Sequence, residues 1–224
     1  MSSLKNGKLF IVSTPIGNLK DITQRAIDTL RSVEAVACED TRRTGQLLSH
    51  LGFKKKLISY NDINAEIKVN LILSIIEKGL DIALVSDAGT PGISDPAYRL
   101  VKSAVEKEFE VLSIPGPSAV LGALVVSGFP LDKFVFEGFL PSKGAKRKKS
   151  ILLLKYEHRT IILYEAPHRI KNLLELIHEI LGDREISVSR EMTKLYEETV
   201  RGKVSDIIEK MKPVKPRGEY TVVI

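Results

Sequence analysis

The chain is short of the residues on which several protein classes depend. Its 224 residues include one cysteine, Cys38, which cannot close an internal disulfide and leaves no cysteine-based metal cluster to propose. The four histidines (His50, His158, His168 and His178) show no metal-ligand spacing, so no metal is expected. The longest apolar stretches, such as Ile151–Leu154 and Ala123–Val126, fall far short of the roughly 20 residues that span a bilayer. The opening MSSLKNGKLFIV has no long apolar signal region followed by a cleavage site. A cytoplasmic location without a membrane partner is therefore expected. Aromatic residues make up only 6% of the chain, so extensive base stacking is not expected. There is no G-x-x-x-x-G-K-[ST] and no G-x-G-x-x-G after the first apolar run, which removes support for a P-loop and for the standard dinucleotide fold.

What is present is ordinary for a globular protein: 43% hydrophobic and 28% charged residues. The length suffices for one large α/β domain or two small ones. The formal net charge is +6 and the pI about 9.3, a balance compatible with a polyanionic partner. Cations concentrate at Lys143-Gly-Ala-Lys-Arg-Lys-Lys149, which reads either as a solvated, mobile loop or as one that contacts phosphate.

Short apolar runs alternate with helical periodicity. Leu9–Val12, Ala35–Cys38, Leu57–Ser59, Ile82–Val85 and Val111–Ile114 read as strands. Between the first two, Asp21 offers an N-cap with Gln24 three residues on, followed by Ile22, Ala26, Ile27, Leu30 and Val33 at helical spacing. Gly52 and Gly79 stop the next two helices. The order then repeats. Pro117–Gly128 and segments near 145–157, 168–181 and 205–211 read as helices among strands at Phe134–Phe136, Thr160–Leu163, Ile186–Val188, Thr199–Arg201 and Tyr220–Ile224. Such alternation predicts parallel or mixed sheets covered by helices. We read two α/β domains, 1–115 and 116–224, joined near Ile114–Ser118.

Ligands of open α/β sheets sit beyond the carboxyl ends of the strands. Four strand ends carry loops rich in Gly, Pro, Ser, Thr and acid: Ser13–Asn18, Glu39–Arg43, Ser86–Pro96 and Pro115–Ala119. Each alone is compatible with mere turn chemistry; four on one rim point to a site. In VSDAGTPGISDP, Gly89 and Gly92 let backbone approach a ligand closely, while Asp87 and Asp95 suit a cationic or hydroxyl-bearing one and repel phosphate.

Nine motifs in order and spacing, TPIGNLKDIT (14–23), ACEDTRRT (37–44), SDAGTPGISDP (86–96), PGPSA (115–119), GFLPSKG (138–144), YEAPHRI (164–170), REMTKLYEE (190–198), RG (201–202) and GEYTVVI (218–224), run nearly the whole length. Through them the chain resembles the ribosomal RNA small-subunit methyltransferase I family, within the tetrapyrrole-methylase-like superfamily of class III S-adenosylmethionine enzymes. The resemblance implies two α/β domains with S-adenosylmethionine in the cleft between them, and 2′-O-methylation of a cytidine in 16S rRNA. It also implies a homodimer, and 16S rRNA or the small ribosomal subunit as partner, with no DNA. By position it places the cofactor against Thr14, Pro15, Asp87, Gly89, Thr90, Ile93, Ser118, Ala119, Tyr164, Ala166, Met192 and Gly218. Two departures stand out. Ser13 occupies a position where the family usually has Gly, which would narrow the cleft. The family's chain usually runs on past GEYTVVI into a small helical extension.

Methylating a ribose hydroxyl requires in-line placement and loss of a proton from a poor nucleophile. Glu191 is a candidate proton acceptor. Lys194 would lower the hydroxyl's pKa, or act as base if its own pKa is depressed, with Glu197 and Glu198 behind it. The imidazole of His168 is the alternative base. Glu165 would orient ribose or cofactor hydroxyls. Arg42, Arg43, Lys146, Arg147, Lys148, Lys149 and Arg169 would contact phosphates, with Asp40 beside them on the substrate side. A methyltransferase of the same fold acting on a small acidic molecule such as a tetrapyrrole is the competing reading. A non-enzymatic RNA- or cofactor-binding scaffold would leave the Glu191 and Lys194 region idle.

Overall fold

The computed structural model describes residues 6–224. The chain separates into two compact units, one ending at Ser118 and the other running Ala119–Ile224.

In the first unit the strands are β1 (Leu9–Val12), β2 (Ala35–Cys38), β3 (Lys56–Ser59), β4 (Ile82–Val85) and β5 (Val111–Ile114). The helices are α1 (Gln24–Ser32), α2 (Thr41–His50), α3 (Ala65–Glu77) and α4 (Ala97–Glu106). The strands form one sheet in the order β3-β2-β4-β1-β5, every pair parallel. The sheet is therefore purely parallel rather than mixed. The reason lies in the sequence: runs such as AVAC and IALV are apolar at every position, so both faces must be covered. The period of two divides them between two cores. Ala35, Ala37, Ile82 and Leu84 pack with α3 and α4, while Val36, Cys38, Ala83 and Val85 pack with α1 and α2.

The second unit contains α5 (Ala119–Ser127), β6 (Phe134–Phe139), α6 (Gly144–Leu154), β7 (Thr160–Glu165), α7 (Ile170–Leu181), β8 (Glu185–Arg190), β9 (Glu198–Lys203), α8 (Val204–Met211) and β10 (Tyr220–Val223). Its sheet runs β6-β7-β10-β8-β9, with β6 and β7 parallel and the remaining pairs antiparallel. Ile161 and Leu163 of β7 face a core shared with α6, α7 and α8, while Ile162 and Tyr164 face α5.

Three expectations change. Asp21 does not cap α1: it ends a short 3-10 turn over Leu19–Asp21, and Thr23 is the N-cap, its Oγ1 accepting from Ala26 N at 3.1 Å. The basic run is not a loop. Lys143 is the N-cap of α6 and the remaining cations occupy its first turns. Asp95 is not a free ligand group, because its carboxylate accepts from the backbone N–H of Gly92 and Ala97. No described helix is long and apolar enough to cross a membrane.

Candidate active site

Because the first sheet is parallel, the carboxyl ends of β2, β4, β1 and β5 lie side by side, and their loops are knitted together. Thr14 and Gly89 exchange two backbone hydrogen bonds of 2.9 and 3.0 Å. Gly89 has φ +82°, and a Cβ there would stand 3.3 Å from Ile16 Cγ2. Thr14 Oγ1 donates to Ser86 O at 3.3 Å, and Thr90 Oγ1 donates to Pro117 O at 3.2 Å. Ser13 does not narrow any opening. It is 1% exposed, its hydroxyl lies 2.9 Å from Thr90 Oγ1, and its Cβ packs where Gly116 leaves room. Pro15, Ile93 and Ser118 complete the rim, Ile93 being exposed. Thr14, Pro15, Gly89, Thr90, Ile93 and Ser118 carry no charge, so this stretch of the rim offers backbone and hydroxyl groups but no cation to meet a phosphate.

Asp87 and Asp40 are turned toward α2. Asp87 Oδ1 accepts from Asp40 N at 3.1 Å, and Oδ2 lies 3.3 Å from Arg43 Nη1. Asp40 caps α2 through Arg42 N at 2.8 Å and also grips the Arg42 guanidinium, which holds its carboxyl well below the usual carboxylate range. Glu39 behind them is pushed up to about 7, first by burial and then by Asp95 and Asp87. A depression of about 260 Å³ opens here, lined by Thr14, Pro15, Leu19, Arg43, Leu47 and Asp87 among others. Leu19, Gln46, Leu47 and His50 were not singled out in the sequence. The signal was available: Arg43, Gln46, Leu47 and His50 recur at i, i+3, i+4 and i+7 on one face of α2.

In the second unit the candidates fall into three groups. Tyr164 and Met192 pack with Phe136 against Val120 of α5, the helix that Ala119 begins. Burial pushes the Tyr164 phenol up to about 12, so it stays protonated.

Arg147, Glu165 and Arg169 form the second group, and here two assignments are corrected. Arg147 is not a surface phosphate contact. It is 1% exposed, points inward at the spacing of Ile151 and Leu154, donates to Pro141 O at 3.0 Å and pairs with Glu165 Oε2. Glu165 is equally buried, and its other oxygen accepts from Ala166 N at 2.9 Å and lies 2.8 Å from Arg169 Nε. With both oxygens engaged inside the protein, Glu165 does not reach a ligand hydroxyl. It fixes the Ala166–Arg169 turn instead. His168 is exposed in that turn.

The third group surrounds Lys194. Its Nζ lies 2.9 Å from Glu191 Oε1 and 3.0 Å from Glu219 Oε2. Burial works against the ammonium, yet the two carboxylates outweigh it and hold the Lys194 pKa above that of a free lysine. The option of Lys194 as a base with depressed pKa is therefore overturned. The hydrogen bond from Lys194 holds Glu191 low in turn. Glu197 and Glu198 do not stand behind Lys194. Glu197 accepts from Thr193 N at 2.8 Å and Glu198 pairs with Arg190 at 2.8 Å. Glu219 fills the place expected of them. The backbone is strained here: Glu191 has φ +49° and Thr193 +65°. Gly218, at φ +79°, leaves room that the Glu191 carboxylate occupies. Among the described residues no group of three or more His, Cys, Asp or Glu is placed to hold a metal ion.

A two-unit α/β chain with loops gathered on a parallel rim is the architecture of a known enzyme class. The chain belongs to the tetrapyrrole (corrin/porphyrin) methylase family, whose sequence model matches residues 8–208. The fold agrees: uroporphyrin-III-C-methyltransferase from Thermus thermophilus superposes with TM-score 0.65 at 20% identity over 97% of this chain and 94% of its own. A cobalt precorrin-4 methyltransferase of cobalamin biosynthesis does so with TM-score 0.70 at 18% identity over 96% and 93%.

Sequence narrows the family further. The ribosomal RNA small subunit methyltransferase I of Thermotoga maritima is 50% identical over 97% of this chain and 98% of its own. Those of Bacillus subtilis and Escherichia coli O157:H7 are 47% and 42% identical over 97% of this chain and 75% and 77% of theirs. The chain is a methyltransferase of that family.

Proposed function

We propose that the chain transfers a methyl group from S-adenosylmethionine to the ribose 2′-oxygen of a cytidine in 16S rRNA of the small ribosomal subunit. The observation that carries this reading is the near-full-length identity to relatives named for ribosomal RNA, at 50% in the first case. When bound, S-adenosylmethionine supplies a methyl on a cationic sulfonium. The chain's part is to hold that group and prepare the acceptor. On the first unit, Thr14, Pro15, Asp87, Gly89, Thr90, Ile93 and Ser118 are the proposed contacts. On the second, they are Ala119, Tyr164, Ala166, Met192 and Gly218. Asp87 and the close backbone approach at Gly89 fit a cationic ligand without phosphate.

Lys194 is the proposed electrostatic residue. Kept charged by Glu191 and Glu219, it favours the developing negative charge on a hydroxyl beside it and does not accept the proton. Glu191 is the acceptor within reach of the same point, and His168, exposed on its turn, is the alternative. The cations of α6 support an RNA partner. Lys143 and Lys146 stand exposed at the N-cap and in the first turn, where the helix dipole disfavours positive charge, and Lys149 stands exposed one turn further on. Stability gives no reason for them there; phosphates do. Arg42 and Arg169 would add contacts. A cytoplasmic site and a homodimer belong to the same proposal.

The test is a filter assay with radiolabelled S-adenosylmethionine. Acceptors are small ribosomal subunits from cells lacking the endogenous activity, free 16S rRNA and a porphyrinoid. Label in an alkali-resistant dinucleotide is expected from subunits, and Lys194→Ala should lower the rate about 10²- to 10³-fold. Label on the porphyrinoid alone would return the chain to small-molecule chemistry.

A further inference from the structure

Between the second sheet and α8 lies a cavity of about 340 Å³, and none of the residues lining it is a proposed cofactor contact. We propose that it seats a nucleotide of the RNA substrate neighbouring the one that is methylated, with the base in the well and its phosphate on Arg190 and Lys210. This rests on the RNA reading above and adds a second point at which the RNA is gripped.

The cavity is built within the second unit. Val188, Val200 and Tyr220 line it from β8, β9 and β10, and Ile207, Met211 and Val214 close it from α8 and the segment that follows. Protein interiors are close-packed and leave few voids larger than a water molecule. Here the core opens at its edge: Val188, Ile207 and Tyr220 are buried, whereas Val214 is exposed on the rim. The volume lies at the small end of ligand pockets, which run from about 300 Å³ upward, and suits one flat ring system. The walls are apolar, and an unbranched side chain such as Met211 adapts to a ring face.

The mouth is cationic. Arg190 and Glu198 pair at 2.8 Å with 29% and 51% of their side chains exposed. A pair so open to water contributes little to stability, so the carboxylate yields to a phosphate at low cost. The guanidinium then meets the phosphate oxygens with its planar fork. Lys210 lines the same mouth and is exposed. The chain continues this charge: residues 210–217, KMKPVKPR, hold four cations and no acid. Of these, only Lys212 has a carboxylate partner among the described residues, Glu209. An apolar well with a cationic rim matches a nucleotide in both shape and charge.

The placement suits the chemistry. Arg190 is in register with Tyr220, and the next residue, Glu191, opens the turn that carries Lys194. The cavity and that turn therefore share one end of the sheet. RNA held in the cavity presents a neighbouring ribose to Lys194, and single-stranded RNA is recognised by splaying its bases into such pockets.

The experiment uses the full chain and small ribosomal subunits. Val214→Cys places a thiol on the rim, and the chain's own cysteine, Cys38, is buried. A thiol-directed photocrosslinker at position 214 should join the chain to 16S rRNA beside the nucleotide that wild type labels. Val214→Trp, which fills the well, should raise KM for subunits about 5- to 150-fold, the value of one seated base. Its S-adenosylmethionine affinity, measured by equilibrium dialysis, and its melting temperature should stay at the wild-type values. Lys210→Gln should raise the same KM and lower the slope of log KM against log salt by about 0.7, the share of one phosphate contact. A crosslink only to distant RNA, to a ribosomal protein or to a second copy of the chain would overturn the nucleotide site while ribose methylation stood. So would a wild-type KM or a loss of cofactor affinity in Val214→Trp, or an unchanged salt slope in Lys210→Gln. No label from wild type on any RNA would overturn both.

Discussion

Removing the Glu165 carboxylate should be among the most damaging single changes in the second unit. Glu165 and Arg147 side chains are each 1% exposed, and the carboxylate is gripped by Arg147, Arg169 and Ala166 N. Glu165→Ala leaves the Arg147 charge buried with only Pro141 O to meet it at 3.0 Å. Breaking a buried pair on one side costs about 3–5 kcal/mol. At about 2–4 °C per kcal/mol for a chain of this size, the melting temperature should fall by roughly 6–20 °C. The pair as a whole is worth much less, because burying both charges was itself costly. The apolar double variant Arg147→Met/Glu165→Leu should therefore recover at least half of the loss, Arg169 being 20% exposed and able to turn to water. Urea unfolding of the two single variants and the double gives the coupling directly. A loss below about 1 kcal/mol in Glu165→Ala, or a double variant as unstable as the sum of the singles, would refute the reasoning.

Gly89→Ala should destabilise by more than Gly52→Ala. Both glycines have φ +82°, which costs an L-residue about 1–2 kcal/mol, but only at Gly89 does the new Cβ also press on Ile16 Cγ2 at 3.3 Å. Equal losses in urea melts would remove the packing argument. Glu39 predicts a pH effect. Its folded pKa, raised to about 7, means its contribution to stability is present below the unfolded value near 4.5 and is lost as pH rises through 7. Glu39→Gln stays neutral, so its melting-temperature advantage over wild type should be near zero at pH 4.5 and grow up to pH 8; a constant difference would contradict the shift. Thr23→Ala should cost about 1 kcal/mol as loss of an N-cap. Asp21→Ala should cost less, since its carboxylate caps no helix; the reverse order would restore the capping box at Asp21.

The parts of the fold that were legible and those that were not differ in where their information is kept. Four of the five strands of the first unit, all but β3, were readable to the residue: β1, β2 and β4 are apolar at every position and end where polarity begins, and β5 breaks that run only at the exposed Ser113. In the second sheet β6, β7, β8 and β9 were read short, and β10 one residue long. β8 and β9 end in charged residues, Glu185 and Arg190, Glu198 and Lys203, whose place is fixed by the opposite strand rather than by their own polarity. β6 runs past Phe136 only through a register shift at Gly138. The candidate rim followed from composition at the strand ends, since parallel pairing alone puts those ends together. Charge was the harder matter. Lys146, Arg147, Lys148 and Lys149 look alike in a row, yet on a helix Arg147 shares the inward face with Ile151 and Leu154. What makes an arginine tolerable there is Glu165, 18 residues away on β7. Lys194 repeats the lesson: of its two carboxylates, Glu191 is local and Glu219 lies 25 residues on, just before β10. A cation's role is set by a partner that only the fold brings to it. Periodicity can therefore find the face on which a charge stands, but whether that charge is free to meet RNA is decided by contacts across the sheet.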